Sequence, residues 1–289
     1  MQSGAHYKIV KLASGVHSVH SVAHRETFHP VIGPVAEAEA LYVKQLRLPE
    51  RMGAHNGEFV VWDVGLGAAA NVLTVLRGTR DATCPLRIVS FDHTLEPLQF
   101  ALENADTLGY FTDYEGAVAN LIRDHHTAFV DAQRQVTWDL HLGDFPTLLI
   151  DRLKSSETKA IPAPHAILFD AFSPAKNPAM WTQPLFANLF KFLDPSRPCA
   201  LPTYSRSTML RVSLLLAGFH VGAGHATGEK EETTIAANTL DLISEPLDKK
   251  WLQRVRNSTS AEPMWEPVYR QAPLTEETWH ALQKHSQFN

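Results

Sequence analysis

The sequence predicts an α/β protein whose centre is a doubly wound, mostly parallel β-sheet. Two observations carry that prediction. Apolar runs of strand length alternate along the chain with segments of helical composition, the pattern of successive βα units. The runs that read as consecutive strands also end in acids, Asp63, Asp92, Asp144 and Asp170, at the sheet edge where such folds bind ligands. One acid there is as readily a helix cap or a solvated turn, but four in succession argue for a shared site.

Taken in order, residues 1–30 read as two or three short strands forming a small β cap. Alternation spreads His17, His20 and His24 over both faces of that cap, with no Cys or acidic ligand among them, so no metal is expected. Pro34 opens an amphipathic helix over 35–46 with Ala36, Ala40, Val43 and Leu46 on its apolar face. Residues 1–50 are thus a cap and a leading helix. Phe59, Val60, Val61 and Trp62 form the first buried strand, after which 68–76 changes to helix formers. The second strand is 86–91, followed by a helix over 95–108 and a polar helical insertion over 114–132. The third, 135–142, runs into a helix over 145–153, and 155–164 is a loop rich in Ser, Lys and Pro. The fourth strand, 165–169, precedes a helix over 181–192; the fifth, 199–204, precedes a helix over 205–217 with Ser205 as N-cap. Short strands follow at 219–221 and 233–237. The sheet domain covers 51–245, and 246–289 is a C-terminal extension that packs on it or meets a partner, ending in a helix over 275–284.

The chain has 289 residues, 44% of them hydrophobic, enough for a sizeable core. A formal net charge of -5 gives no global attraction for nucleic acid or membrane, so a polyanion needs a local basic patch. The best is Lys249, Lys250, Arg254 and Arg256 around Trp251, with Arg206, Arg211 and Lys230 as additions, although such a run is more often a solvated helix face than a binding site. Cys84 and Cys199 lack metal-type spacing and the N-terminus lacks signal-peptide features, which together read as a cytoplasmic protein. No run approaches the roughly 18 apolar residues that span a bilayer, so no membrane partner is expected.

Gly65 and Gly67 permit backbone angles and a close approach that a Cβ would block, so a nucleotide-type cofactor can rest against the loop and the next helix. Gly-x-Gly-x-x-Ala followed by a later acid also fits a nicotinamide or flavin oxidoreductase. Asp63, two residues before Gly65, opposes that reading because a carboxylate there meets a pyrophosphate. S-adenosylmethionine fits better: its sulfonium and amino group are drawn to a carboxylate. Asp92 suits the ribose hydroxyls, with bonds worth about 1.5–3 kcal/mol each, and Asp144 suits the adenine amino group.

Residues 167–182 read ILFDAFSPAKNPAMWT. Asp170, Phe172, Pro174, Lys176, Asn177, Pro178, Met180 and Trp181 follow the pattern D-G-F-x-P-x-K-N-P-x-M/L-W, and in this the chain resembles the MnmC-type tRNA methyltransferases. The glycine loop resembles that family's E-x-G-F-G-T-G-x-N through Gly65, Gly67 and Asn71, with Asp63 at the acid. GPVAEAEALYV resembles its upstream helix, and AGFHV and GEKEETTIA resemble later segments, so the resemblance spans about residues 7–240. Ala68 and Ala69 stand where the family has Thr-Gly, Ala171 where it has Gly, and Glu231 where it has Arg. The resemblance implies a Rossmann-like, S-adenosylmethionine-dependent methyltransferase fold, adds Asn71 to the cofactor residues, and implies the aminomethyl group of a modified wobble uridine in tRNA as acceptor.

Methyl transfer to an amine needs positioning and a deprotonated nucleophile. Asp170, at the end of the fourth strand, is the candidate catalytic base. Phe172 and Trp181 offer flat surfaces for a flipped base or else pack in the core, and Lys176 and Asn177 meet phosphate or face solvent. Two further readings stay open: the same chemistry on a small-molecule amine or another RNA, and a catalytically silent RNA-binding or scaffold protein.

Overall fold

The computed structural model describes residues 6–154, 161–228 and 231–289. β1 (Tyr7–Lys11), β2 (His17–Ser21) and β3 (Glu26–Thr27) form an antiparallel sheet whose Tyr7 and Val19 reach into the main core. The leading helix is not one regular helix. It starts as α1 (Pro34–Ala38), with Pro34 in its first turn, and continues as a π-helical stretch, Glu39–Lys44, before α2 (Leu48–Gly53). Leu41, Tyr42 and Val43 are all buried, and the wider turn brings three consecutive side chains inward where a regular helix turns one of them out.

All six residues of β4 (Phe59–Val64) are buried because the strand is flanked on both edges and covered on both faces. It is followed by α3 (Ala70–Gly78), β5 (Leu86–Asp92), α4 (Glu96–Glu103), α5 (Ala105–Leu108) and α6 (Glu115–Asp124). The expected helical insertion over 114–132 is only half helix. His125 takes a left-handed conformation (φ 55°) and stops α6, and β6 (His126–Asp131) then turns through Ala132 into β7 (Arg134–Leu142) as an antiparallel hairpin. Thr127 and Asp131 point inward at strand spacing, and Asp131 accepts a hydrogen bond from the buried Arg134 Nη2 at 3.0 Å.

α7 (Phe145–Lys154) leads towards β8 (Ala166–Phe169). A short 3₁₀ turn, Pro178–Trp181, precedes α8 (Gln183–Phe192), whose N-cap is Thr182. After β9 (Ala200–Thr203), α9 (Thr208–Ala217) begins at Ser207, two residues beyond the expected Ser205. β10 (His220–Gly224), β11 (Thr233–Ala237) and β12 (Glu245–Pro246) complete a nine-stranded sheet in the order β12-β10-β11-β9-β8-β4-β5-β7-β6. The strands β7, β5, β4, β8 and β9 are parallel, and the outer ones are antiparallel. From β4 the chain moves outward to β5 and β7, then returns to the other side of β4 with β8. That reversal opens a crevice at the carboxyl ends of β4 and β8, where ligands bind in such sheets.

The extension is part of the second core layer. α10 (Lys249–Arg256) buries Trp251, Leu252 and Val255, and α11 (Glu276–Gln283) buries Trp279 and Leu282, against α8 and α9. The Gln287 side chain accepts from Val221 N at 2.8 Å and donates to Val221 O and Leu247 O at 2.7 and 2.8 Å, completing the pairing beside β10. Among the described residues no helix is long and apolar enough to cross a membrane.

Candidate active site

A cavity of about 720 Å³ opens at the carboxyl ends of β4, β5, β7 and β8, and residues 24–30 of the N-terminal sheet cover it. Gly65 (φ 95°) is required: a Cβ there would lie 2.7 Å from Asp170 O, so the loop after β4 touches the backbone after β8 only without a side chain. Gly67 also has positive φ, and its amide donates to Asp92 Oδ2 at 2.9 Å, tying the loop to the end of β5. Ala69 holds the same left-handed conformation (φ 60°) at the start of α3, at a cost of about 1–2 kcal/mol for a residue with a Cβ.

Asp170 lies at the centre of this floor. Its Oδ2 accepts from Asn71 Nδ2 at 2.8 Å, and His29 Nε2 stands 3.5 Å from the same oxygen. Asn71 therefore reaches Asp170 from the first turn of α3. His29 and Glu37, absent from the sequence reading, complete the group: His29 Nδ1 is 3.7 Å from Glu37 Oε1, and both side chains are only 9% exposed. Burial disfavours the charged imidazole, but Asp170 and Glu37 outweigh it and raise the His29 pKa. The only local signal for Glu37 is an acid in a helix of otherwise apolar spacing.

Asp92 and Asp144 line the cavity from the ends of β5 and β7, and Asp144 Oδ2 also accepts from Thr147 N and Oγ1 at the start of α7. Asp63 is elsewhere. Its carboxyl is fully buried beneath the loop, accepts from Ser90 Oγ at 2.8 Å, and is pushed up to about 8, chiefly by burial. Direct attraction of a sulfonium by an ionised Asp63 does not fit this position, because the side chain points into the sheet, towards β5.

Phe172, Lys176 and Asn177 line the cavity mouth. Phe172 stacks on His24 with ring centroids 4.2 Å apart and meets Phe28 edge-on, while Ser173 Oγ donates to Glu26 Oε1 at 2.5 Å. Trp181 does not join them. It is 1% exposed, packs on Phe169, and donates its indole N–H to Phe172 O at 2.7 Å, so it shapes the loop from beneath and offers no open face.

The basic patch divides. Arg211 is buried and donates to Thr233 O and Thr234 Oγ1, and Arg256 pairs with Glu276 and lies over Trp279; these two guanidinium groups serve the fold. Lys249, Lys250 and Arg254 are exposed on α10, and Lys230 is outside the described residues. At the cavity mouth itself the exposed Arg and Lys residues, among the described residues, are Arg25 and Lys176. Among the described residues no group of three or more His, Cys, Asp or Glu is arranged to hold a metal ion.

The sheet has this strand order, a glycine loop tied to an acid at the next strand end and a cavity between them, and residues 114–239 match the model of a family described as S-adenosyl-L-methionine-dependent methyltransferase. The chain is similar to the tRNA 5-methylaminomethyl-2-thiouridine biosynthesis bifunctional protein MnmC. It is 28% identical to that of Methylibium petroleiphilum over 78% of this chain and 34% of the relative. To that of Ralstonia nicotianae it is 28% identical over 85% of this chain and 35% of the relative. The chain thus spans about a third of the length of these relatives. The crystal structure of MNMC2 from Aquifex aeolicus has the same fold, with a TM-score of 0.70 at 22% identity over 96% of this chain and 84% of that one.

Proposed function

We propose that the chain transfers a methyl group from S-adenosylmethionine to the amine of an aminomethyl-bearing wobble uridine in tRNA, in the cytoplasm. The observation that carries this reading is the Asp170 carboxylate, fixed by Asn71 directly beside the Gly65 loop, in a cavity whose mouth is aromatic and basic. The names of the similar MnmC proteins supply the acceptor; the cavity supplies a place for it.

The residues fit the cofactor. The cavity is large enough for a nucleoside with an amino-acid arm, Asp92 and Asp144 stand at neighbouring strand ends, and the glycine loop is flanked by the acids Asp92 and Asp170 where a pyrophosphate needs cations. Asp92 would hold the ribose hydroxyls and Asp144 the adenine amino group, with Gly65 and Gly67 beside the amino-acid arm and Asn71 committed to Asp170. When bound, the cofactor supplies an electrophilic methyl group on sulfur.

The protein's own part is orientation and one proton. An alkylamine enters as an ammonium ion, attracted by the acidic floor of Asp170 and Glu37. Asp170 accepts the ammonium proton: an N–H bond breaks, an O–H bond forms, and the nitrogen lone pair is freed for in-line attack. Asn71 keeps the carboxylate pointed at that nitrogen. Phe172 stacks the uracil ring, while Arg25, Lys176 and Asn177 meet the flanking phosphates. Exclusion of water by residues 24–30 keeps the amine next to the donor.

The test is incubation of the purified chain with labelled S-adenosylmethionine and tRNA from a strain lacking the activity, followed by nucleoside digestion. Label in a methylaminomethyl-uridine nucleoside is expected. Label appearing only in added small amines, or in no acceptor, overturns the assignment.

A further inference from the structure

His29 is held in an unusual way. It has a left-handed backbone (φ 49°), and its imidazole is enclosed between two carboxylates from distant parts of the chain, Glu37 on α1 and Asp170 after β8. Non-glycine residues adopt that conformation where the surroundings impose it, and such positions cluster at functional sites. Nδ1 is buried with no hydrogen-bond partner among the described residues, so the ring is held by charge and packing and is not a member of a hydrogen-bonded scaffold.

The setting explains why a cation is needed there. Asp92, Glu37 and Asp170 line the cavity and Asp63 lies buried beneath its loop, and like charges at close range favour protonation of one of them. Asp63 shows the effect: after burial, Asp92 and Asp170 add to the rise of its pKa. Tyr42 and Tyr204, the other titratable groups against the pocket, are pushed well above the ordinary phenol value by burial and contribute no charge; Glu26 acts on Tyr204 from the cap. Among the described residues His29 places a cation beside Asp170, Nε2 to Oδ2 at 3.5 Å.

The geometry points to His29 as a positioning residue for methyl transfer, an imidazolium clamped by Glu37 that keeps Asp170 an ionised, correctly placed base until the ammonium substrate arrives. The inference rests on the amine-methylation reading above. His29 keeps its own proton through the cycle. The substrate proton goes from nitrogen to Asp170 and leaves to water with the product, so no further reactant is required.

His29→Asn is the decisive variant, because Asn accepts the left-handed conformation while removing the charge. The rate profile of methyl transfer against pH should show its acidic limb displaced upward by roughly one unit, with an approximately tenfold loss on that limb that recovers at higher pH. S-adenosylmethionine affinity by calorimetry should change less than about twofold. Glu37→Gln should displace the limb in the same direction by less. A uniform loss at every pH in both variants overturns the inference and marks a merely structural role.

A second readout needs no substrate. Titration of the His29 ring by carbon-detected NMR in the wild type and in Asp170→Asn should show the imidazole pKa falling by roughly one unit in the variant. Unchanged titration with transfer intact overturns the inference alone. Coupled titration in a wild-type protein that methylates no amine overturns the function on which it rests, and the inference with it.

Discussion

Asn71 in the first turn of α3 and Asp170 after β8 are 99 residues apart in sequence and joined by a 2.8 Å hydrogen bond, Nδ2 to Oδ2. A residue at the start of α3 thereby fixes the Asp170 carboxylate, the proposed base, on the opposite side of the crevice. A hydrogen bond to a charged group is worth about 1.5–3 kcal/mol, or roughly ten- to a hundredfold in rate. Asn71→Ala should lower kcat for methyl transfer by that range, with S-adenosylmethionine affinity nearly unchanged. Single-turnover rates and calorimetry separate the two. A Kd that rises with kcat intact would return Asn71 to the cofactor.

Asp92 should behave in the opposite way. Its Oδ2 secures Gly67 N and its Oδ1 accepts from His93 N at 2.7 Å, so it shapes the loop as well as facing the cavity. Asp92→Asn should weaken S-adenosylmethionine by roughly ten- to a hundredfold in Kd, through lost charge-assisted bonds. At saturating cofactor the transfer rate should recover. Unaltered affinity in calorimetry would take Asp92 out of the binding site.

Asp63 gives a prediction about stability. Its carboxyl has a pKa near 8 in the fold, raised by burial above the ordinary 3.8, so the folded state retains a proton that the unfolded chain loses. That contribution is complete below 3.8 and disappears as pH rises through about 8. Asp63→Asn mimics the protonated carboxyl and removes the linkage. Between about pH 5 and about pH 9 its urea midpoint should fall less than that of the wild type, and cofactor affinity at neutral pH should be preserved. Equal falls in the two proteins would show that Asp63 is ionised in the fold.

Trp181 and Phe172 are neighbours with different work. Trp181→Phe removes the indole hydrogen bond to Phe172 O and leaves a gap, which should cost about 1–3 kcal/mol of stability. Its KM for tRNA should stay close to that of the wild type at a temperature where both are folded. Phe172→Ala should instead raise KM, because a stacked base contributes about 1–3 kcal/mol. Thermal melts and steady-state kinetics on both variants check the division; a raised KM in Trp181→Phe alone would reverse it.

Much of the architecture was legible because β4, β5, β8 and β9 are largely buried on both faces and read as apolar runs, while β7 alternates buried Val136, Trp138 and Leu140 with more exposed polar residues. β6 was not legible. It is an edge strand with exposed His126, Ala128 and Val130, and its polar sequence continues the helical composition of α6 until His125 reverses the backbone. The acids at strand ends marked the site, but not their orientations: Asp63 and Asp92 occupy similar places in sequence, and only packing turns one under the sheet and the other into the cavity. His29 and Glu37 lie outside the sheet domain's motifs. Their role arises where the cap closes on β8, a juxtaposition that no local pattern encodes. The extension looked separable by composition, yet its Trp251 and Trp279 are packed in the same layer as α8 and α9.

Beyond the two-residue β12, which pairs with β10 only at Gly222 and Ala223, the amide of Gln287 bonds Val221 N and O and so continues the cover of that edge. Exposed strand edges are templates on which a second copy can add itself. Gln287 thus acts as a stopper against self-association, and its loss should appear in storage and concentration behaviour before it appears in catalysis. Gln287→Ala, compared with the wild type by light scattering on gentle warming, should form larger particles while the freshly prepared protein keeps its turnover.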